Sequence, residues 1–273
     1  MKSIRLSRCD SITKVPDLCA PNLETLEILG CINLIEVLES IGFLDKLKLW
    51  KILVCRKLEI LPSKLMLKSL EYFDLSWCMS LKKFPDIHPE MKRLKELVLF
   101  FNDIRELPSS LGYLTGLRML SFCHDHMEFS VSNNKLQQLE EKDILTSKLG
   151  MAFTRPGFLS LTSLDLSRGN ITELDFWMQP DCFPVLRSIN LAKTRIVTIP
   201  ESIIKFTRLA ILDIKNCKEL RDIPRLPQSI ETVDAENCNY LDPQSSINLW
   251  KQVSLSLSKF KFLVTFPEYI ILL

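Results

Sequence analysis

The apolar residues of this 273-residue chain repeat one pattern, L-x-x-L-x-L, at nearly constant steps. Its first position stands at Leu23, Leu47, Leu70, Leu94 and Leu117, and again at Leu161, Leu186, Leu209 and Ile230. The steps are 24, 23, 24 and 23 residues in the first group and 25, 23 and 21 in the second. Within each copy the last two apolar positions flank a single residue, the alternation of a short strand with one buried face. Ile4-Arg5-Leu6 supplies the same strand without its leading leucine, so the pattern predicts about ten units. One unit cannot bury its own leucines, but stacked on its neighbours it closes a continuous core.

The segment after each strand is equally regular. Three residues past the last strand position stand Cys9, Cys31, Cys55, Cys78, Cys217 and Cys238, with Asn102, Asp125, Gly169 and Thr194 in the same slot of other units. The slot is the corner where the chain leaves the strand, a place for a small residue with a donor for exposed backbone. The next apolar residue comes three later after Cys and two later after the others, so the corner has two lengths. Apolar-Pro pairs then mark the return: Val15-Pro16, Leu61-Pro62, Phe84-Pro85, Leu107-Pro108, Ile199-Pro200 and Ile223-Pro224. Proline fixes φ and removes an N–H, which suits an extended turn and not a wide second sheet. Short amphipathic pieces such as 109–117 and 201–209 have room for about one helical or 3-10 turn. The fold class expected is α/β: a leucine-rich-repeat solenoid, with a curved parallel sheet on its concave face and short helical, 3-10 or extended segments on its convex face.

Between Leu117 and Leu161 the step is 44 residues, with one recognisable strand at Leu120-Ser121-Phe122. The expected organisation is an N-terminal block of repeats at 1–125, a charged excursion at 126–157, a C-terminal block at 158–245 and a divergent or truncated tail at 246–273. The excursion is read either as a loop with a short helix near 135–148 or as one degenerate repeat.

Composition narrows the chemistry. A formal net charge of +2, from 35 Lys+Arg against 33 Asp+Glu, gives no general case for nucleic acid or an anionic membrane as partner. No GxxxxGK or GxGxxG stretch is present to wrap phosphate. The opening residues lack a signal-peptide core, and no window reaches the ~18 apolar residues of a membrane span. The expected compartment is therefore cytoplasmic or nuclear, and the nine cysteines are read as reduced thiols. Repeat-spaced cysteines with no CxxC need no zinc to explain them. His124-Asp125-His126 lacks a third ligand, and Cys123-His124 lacks an orienting group for a nucleophile. No catalytic residue, metal or cofactor is expected.

Several stretches are more specific than a generic solenoid requires: APNLETLEILGC at 20–31, LKSLEYFDLSWCMSLKKFPDI at 67–87, IRELPSSLGYLTGL at 104–117 and NCKELRDIPRLPQSIETVDAENCNYLD at 216–242. On these the chain resembles, over about residues 1–250, the leucine-rich-repeat region of plant TIR-type nucleotide-binding disease resistance proteins. The resemblance implies a non-catalytic recognition module that senses a pathogen effector or altered host protein and contributes to autoinhibition. Its partners would be that effector, a guarded host protein or the receptor's own nucleotide-binding domain. Neither a TIR nor a nucleotide-binding domain is found, so the chain is read as a fragment, with a free-standing adaptor, decoy or non-functional remnant as the alternative.

The surface expected to bind is the concave one, carried by the residues between and just after the core positions. The candidates are Glu27, Leu29, Lys51, Leu53, Asp74, Ser76, Val98, Phe100, Asp165, Asn190, Asp213, Lys215, Asp234 and Glu236. Leu29, Leu53 and Phe100 form a broken apolar column, and Asp165, Asp213, Asp234 and Glu236 make the C-terminal end acidic apart from Lys215.

Overall fold

Each L-x-L segment forms a strand, and each strand hydrogen-bonds in parallel to the same segment one repeat away. The computed structural model describes residues 1–18, 20–104, 107–123, 158–169, 171–174 and 180–254. In chain order the first strands are β1 (Ser3–Ser7), β2 (Lys14–Val15), β3 (Thr25–Leu29), β4 (Glu36–Val37) and β5 (Leu49–Leu53). Next come β6 (Lys64–Leu65), β7 (Tyr72–Asp74), β8 (Asp86–Ile87), β9 (Glu96–Phe100) and β10 (Met119–Cys123). The series ends with β11 (Ser163–Asp165), β12 (Ser188–Asn190), β13 (Ile211–Asp213), β14 (Thr232–Asp234) and one helix, α1 (Pro243–Ser254).

Ten of these strands make one parallel sheet in the order β1-β3-β5-β7-β9-β10-β11-β12-β13-β14. Its register joins the core positions of neighbouring repeats, as in Leu26↔Trp50, Trp50↔Phe73 and Leu120↔Leu164. A strand buried on one face with all its parallel neighbours one repeat away is what the sequence period demands. The pairing of β10 with β11 carries the sheet across the long step, so the two blocks share one sheet. The excursion expected at 126–157 lies outside the described residues.

The core is the row of strand leucines and their equivalents. Leu23, Leu47, Leu70, Leu94, Leu117, Leu161, Leu186 and Leu209 are buried, as is Ile230. Burying a Leu or Ile side chain contributes about 1.5–3 kcal/mol, and each repeat gains this several times over from its neighbours. Several repeats bring aromatic rings inside: Trp50 stacks on Phe73 at 4.6 Å between centroids, Phe73 meets Phe84 at 6.1 Å, and Phe158 stacks on Phe183 at 5.7 Å.

The return side is narrow, as the prolines require. Its only described pairings are the two-residue ribbons β2·β4 and β6·β8 and the isolated bridges Glu36↔Ile60 and Thr198↔Asp222. The amphipathic pieces become 3-10 turns at Glu39–Phe43, Ser109–Tyr113 and Glu201–Lys205. Each turns one apolar residue inward: Ile41, Leu111 and Ile203.

Helix α1 starts where Asp242 accepts the N–H groups of Gln244 and Ser245 at 2.9 and 3.2 Å, with Pro243 in the first turn. Leu249 is buried, and the Gln252 amide bonds both the N–H and the carbonyl of Leu226, at 3.1 and 2.6 Å. The boundary expected at 245/246 therefore falls inside a helix that packs on the last repeats. Residues 255–273 lie outside the described part.

Candidate functional site

The corner after each strand is built alike in all nine repeats where it is described. The residue before the corner slot has positive φ: Arg8, Gly30, Val54, Trp77, Phe101, Arg168, Lys193, Asn216 and Asn237, between 52° and 66°. Most of these N–H groups reach the next repeat, as in Gly30 to Leu53, Val54 to Ser76, Trp77 to Phe100 and Lys193 to Lys215. The bonds are 2.7 to 3.0 Å long. The left-handed turn thus lets the ladder run past the strand end, at a cost of about 1–2 kcal/mol for a residue with a Cβ. Asn216, Asn237 and Gly30 are types that tolerate it, whereas Val54 is β-branched and an outlier there.

In several repeats the slot residue then bonds backward, whereas Cys31 and Thr194 bond carbonyls of their own repeat. Cys78 Sγ donates to the Ile52 carbonyl at 3.4 Å, Cys217 to Leu191 at 3.1 Å and Cys238 to Ile214 at 3.0 Å. Asn102 Nδ2 makes the same bond to Leu75 at 3.2 Å. Burial pushes the Cys55 thiol up to about 11 and Cys238 to about 12, and Cys78 rises by the same cause. A buried neutral thiol is a poor nucleophile. Among the described residues no group of three or more His, Cys, Asp or Glu could hold a metal ion. His124 and His126 lie outside the described residues, and with them the two readings that involve them.

Strand length on the concave face tracks one side chain. Where the central residue is Asp or Asn, the sheet strand stops there after three residues: Asp74, Asp165, Asn190, Asp213 and Asp234. Where it is Arg5, Glu27, Lys51, Val98 or Ser121, the strand runs five. In all five short strands the side-chain Oδ1 accepts the N–H two residues on, at Ser76, Ser167, Ala192, Lys215 and Glu236, at 2.9–3.1 Å. A short acceptor that captures a local N–H competes with the ladder and ends it.

This changes the role of the acidic candidates. Asp165, Asp213 and Asp234 lie on the concave face, yet each uses one carboxylate oxygen to hold its own chain. The Lys215 ammonium sits 3.1 Å from Asp213 and 3.7 Å from Asp234, and these contacts, the Asp213 hydrogen bond first, raise its pKa. Glu236 and Asn190 are half-buried beside them.

Three other candidates are closed off. Asp74, Ser76 and Val98 point away from the leucine core but are only 8, 9 and 7% exposed. Asp74 accepts from Ser76 N–H, from Ser76 Oγ at 2.5 Å and from the Tyr72 hydroxyl at 3.0 Å. Burial, then the Asp74 charge, pushes the Tyr72 phenol up to about 12. The expectation that Asp74 and Ser76 offer themselves to a partner is corrected: their polar groups are spent on one another.

Around this closed patch Glu27, Leu29, Lys51, Leu53 and Phe100 stay half-buried on the face. Glu27 lies between Arg5 at 3.9 Å and Lys51 at 4.0 Å, and the Lys51 ammonium stands 5.3 Å from the Tyr72 ring centroid. The sequence reading missed Val54, Trp77 and Phe101, which the left-handed turn carries out of the core. Trp77 and Phe101 stack at 4.0 Å, and Phe100 meets Phe101 at 6.4 Å. The signal was present in Gly30, Asn216 and Asn237, which mark the position as left-handed in three repeats and so fix it in the others.

No family model matches the chain. Over 231 residues, 82% of the chain, it is 32% identical to the disease resistance-like protein DSC1 of Arabidopsis thaliana. Disease resistance protein RPS6 of the same plant matches 87% of the chain at 30% identity, and the TMV resistance protein N of Nicotiana glutinosa matches 86% at 28%. The chain is a homologue of TIR-type plant disease resistance proteins. This disease-resistance homologue spans 17% of the length of DSC1, 23% of RPS6 and 25% of N, about a quarter or less of each. The leucine-rich repeat domain of the type III effector XopL superposes with a TM-score of 0.51 over 97% of this chain and 76% of its own. At 15% identity that likeness concerns the fold alone. No described helix is long and apolar enough to cross a membrane.

Proposed function

We propose that this disease-resistance homologue is a non-catalytic protein-recognition module of a plant immune receptor. It senses a pathogen effector or an altered host protein and contributes to holding the receptor inactive, from the cytoplasm or nucleus. The observation that carries the reading is the match of 82–87% of the chain to three resistance proteins. The concave face supports it: Leu29, Leu53 and Phe100 place apolar groups at the surface of a rigid sheet whose leucine core faces the other way. A solenoid sheet offers a long surface and no enclosed chemistry, which suits binding more than catalysis.

The test is a two-hybrid selection in plant cells with the wild-type chain, repeated with Leu53→Asp/Phe100→Asp. The double variant should keep the wild-type circular dichroism spectrum and lose the recovered partners. Retention of every partner by a folded double variant would remove the concave face from the proposal.

A further inference from the structure

Three consecutive repeats put a bulky apolar residue at the left-handed corner: Val54, Trp77 and Phe101, at φ 60°, 64° and 56°. The other described corners carry Arg, Lys, Asn or Gly. The apolar three gain little core burial in exchange for a strained backbone, because Val54 is 36% exposed and the two stacked rings remain partly open. The left-handed backbone is common to every described corner, so it is the apolar groups left partly outside at three neighbouring corners that mark a contact surface. Ile32 and Met79, just past the corners of their own repeats, extend the ridge with 43 and 36% exposure.

The charge beside the ridge is mainly positive, with Arg56, Lys57, Lys82 and Lys83 against Glu59 and Asp103. Arg56 comes directly after the Cys55 corner, and Lys82 and Lys83 come after the Cys78 corner, on the side where the chain leaves the sheet; all three are exposed. None of them makes an ion pair among the described residues, whereas Lys2, Lys14, Lys48, Lys68, Lys95, Arg195 and Lys215 all do. Lys57 adds a fourth cation, bonded only to the neutral Asn33 side chain at 2.9 Å.

We propose that this corner ridge is a docking surface for an acidic segment of a partner protein that carries aromatic or large aliphatic side chains. The apolar side chains lie on Trp77, Phe101 and Val54, while the carboxylates meet Arg56, Lys82 and Lys83. Electrostatic complementarity at the rim speeds association and orients the segment, and the aromatic pair anchors it. The inference deepens the recognition role proposed above by naming a partner chemistry, but places it on the corner, apart from Leu53 and Phe100 on the sheet.

The experiment uses a displayed library of random twelve-residue peptides, selected on the immobilised full chain at low salt. Enriched peptides should carry net negative charge together with at least one aromatic or large aliphatic residue, and their binding should weaken as salt rises. Arg56→Glu/Lys82→Glu/Lys83→Glu should weaken them by about tenfold or more. Trp77→Gly/Phe101→Gly should do the same while the corner folds, since glycine prefers the left-handed backbone. Enrichment of neutral or basic peptides, or no enrichment, overturns the proposal. So does binding that survives both sets of ridge variants. Peptides lost with Leu53→Asp/Phe100→Asp but kept by the ridge variants would overturn the ridge and leave the concave-face reading standing.

Discussion

Cys78 is the sharpest place to test the repeat architecture, because its side chain is 0% exposed and its one close backward bond, to the Ile52 carbonyl, is 3.4 Å long. Cys78→Ser keeps a donor for that carbonyl and loses only the larger, less polar sulfur, so it should cost about 1 kcal/mol. Cys78→Asp puts a carboxylate where a donor is needed, close enough to Asp74 that the Asp74 charge already raises the Cys78 pKa. The new carboxyl escapes this by staying protonated. Its folded pKa is then raised above the unfolded value of about 3.9, so stability is intact below pH 3.9 and is lost as pH rises toward the folded pKa. Each pH unit in that window costs about 1.4 kcal/mol, so a group still protonated at neutral pH costs about 4 kcal/mol. Urea unfolding at pH 4.5 and pH 7.5 reads both terms. The Cys78→Asp midpoint should sit well below that of Cys78→Ser at pH 7.5 and approach it at pH 4.5. Equal midpoints for the two variants at pH 7.5 would mean that the slot faces water and that the register of the whole solenoid is misassigned.

The same geometry sets three further outcomes. Val54→Asn exchanges a β-branched residue at φ 60° for the type found at this corner in Asn216 and Asn237, and should stabilise by ~1 kcal/mol, read as a higher melting temperature. Asp74→Ala leaves the buried Ser76 N–H and Tyr72 hydroxyl without their acceptor and should cost roughly 2–3 kcal/mol in a urea titration, whereas Asp74→Asn keeps an acceptor and should cost less than half of that. The thiols of Cys55 and Cys238, raised in the folded chain from 9.0 to about 11 and about 12, should resist iodoacetamide at pH 8.5. Because their folded values lie above the unfolded one, the stability they contribute is present below pH 9 and lost as pH climbs through 11, which a falling urea midpoint would reveal.

The sequence period alone determined the fold of this protein. Leu23, Leu47, Leu70 and their successors mark one buried line, and the Cys-or-Asn slot and the proline returns mark two others, because in a solenoid each repeat touches only its neighbours and the same contacts recur at fixed spacing. Strand length was also legible, though not read: Asp or Asn at the centre of the strand captures the N–H two residues later, and such a bond is local. What only the tertiary structure decided is which outward residues remain at the surface. Asp74 and Asp213 hold equivalent places in the repeat, yet the first is buried against Tyr72 and Ser76 while the second is half-buried beside Lys215. Val54, Trp77 and Phe101 read as unremarkable apolar residues until the left-handed turn carries them outward. Periodicity gives the direction of a side chain from its own repeat, but its accessibility depends on side chains one repeat away on either side, and those are as variable as the core leucines are constant.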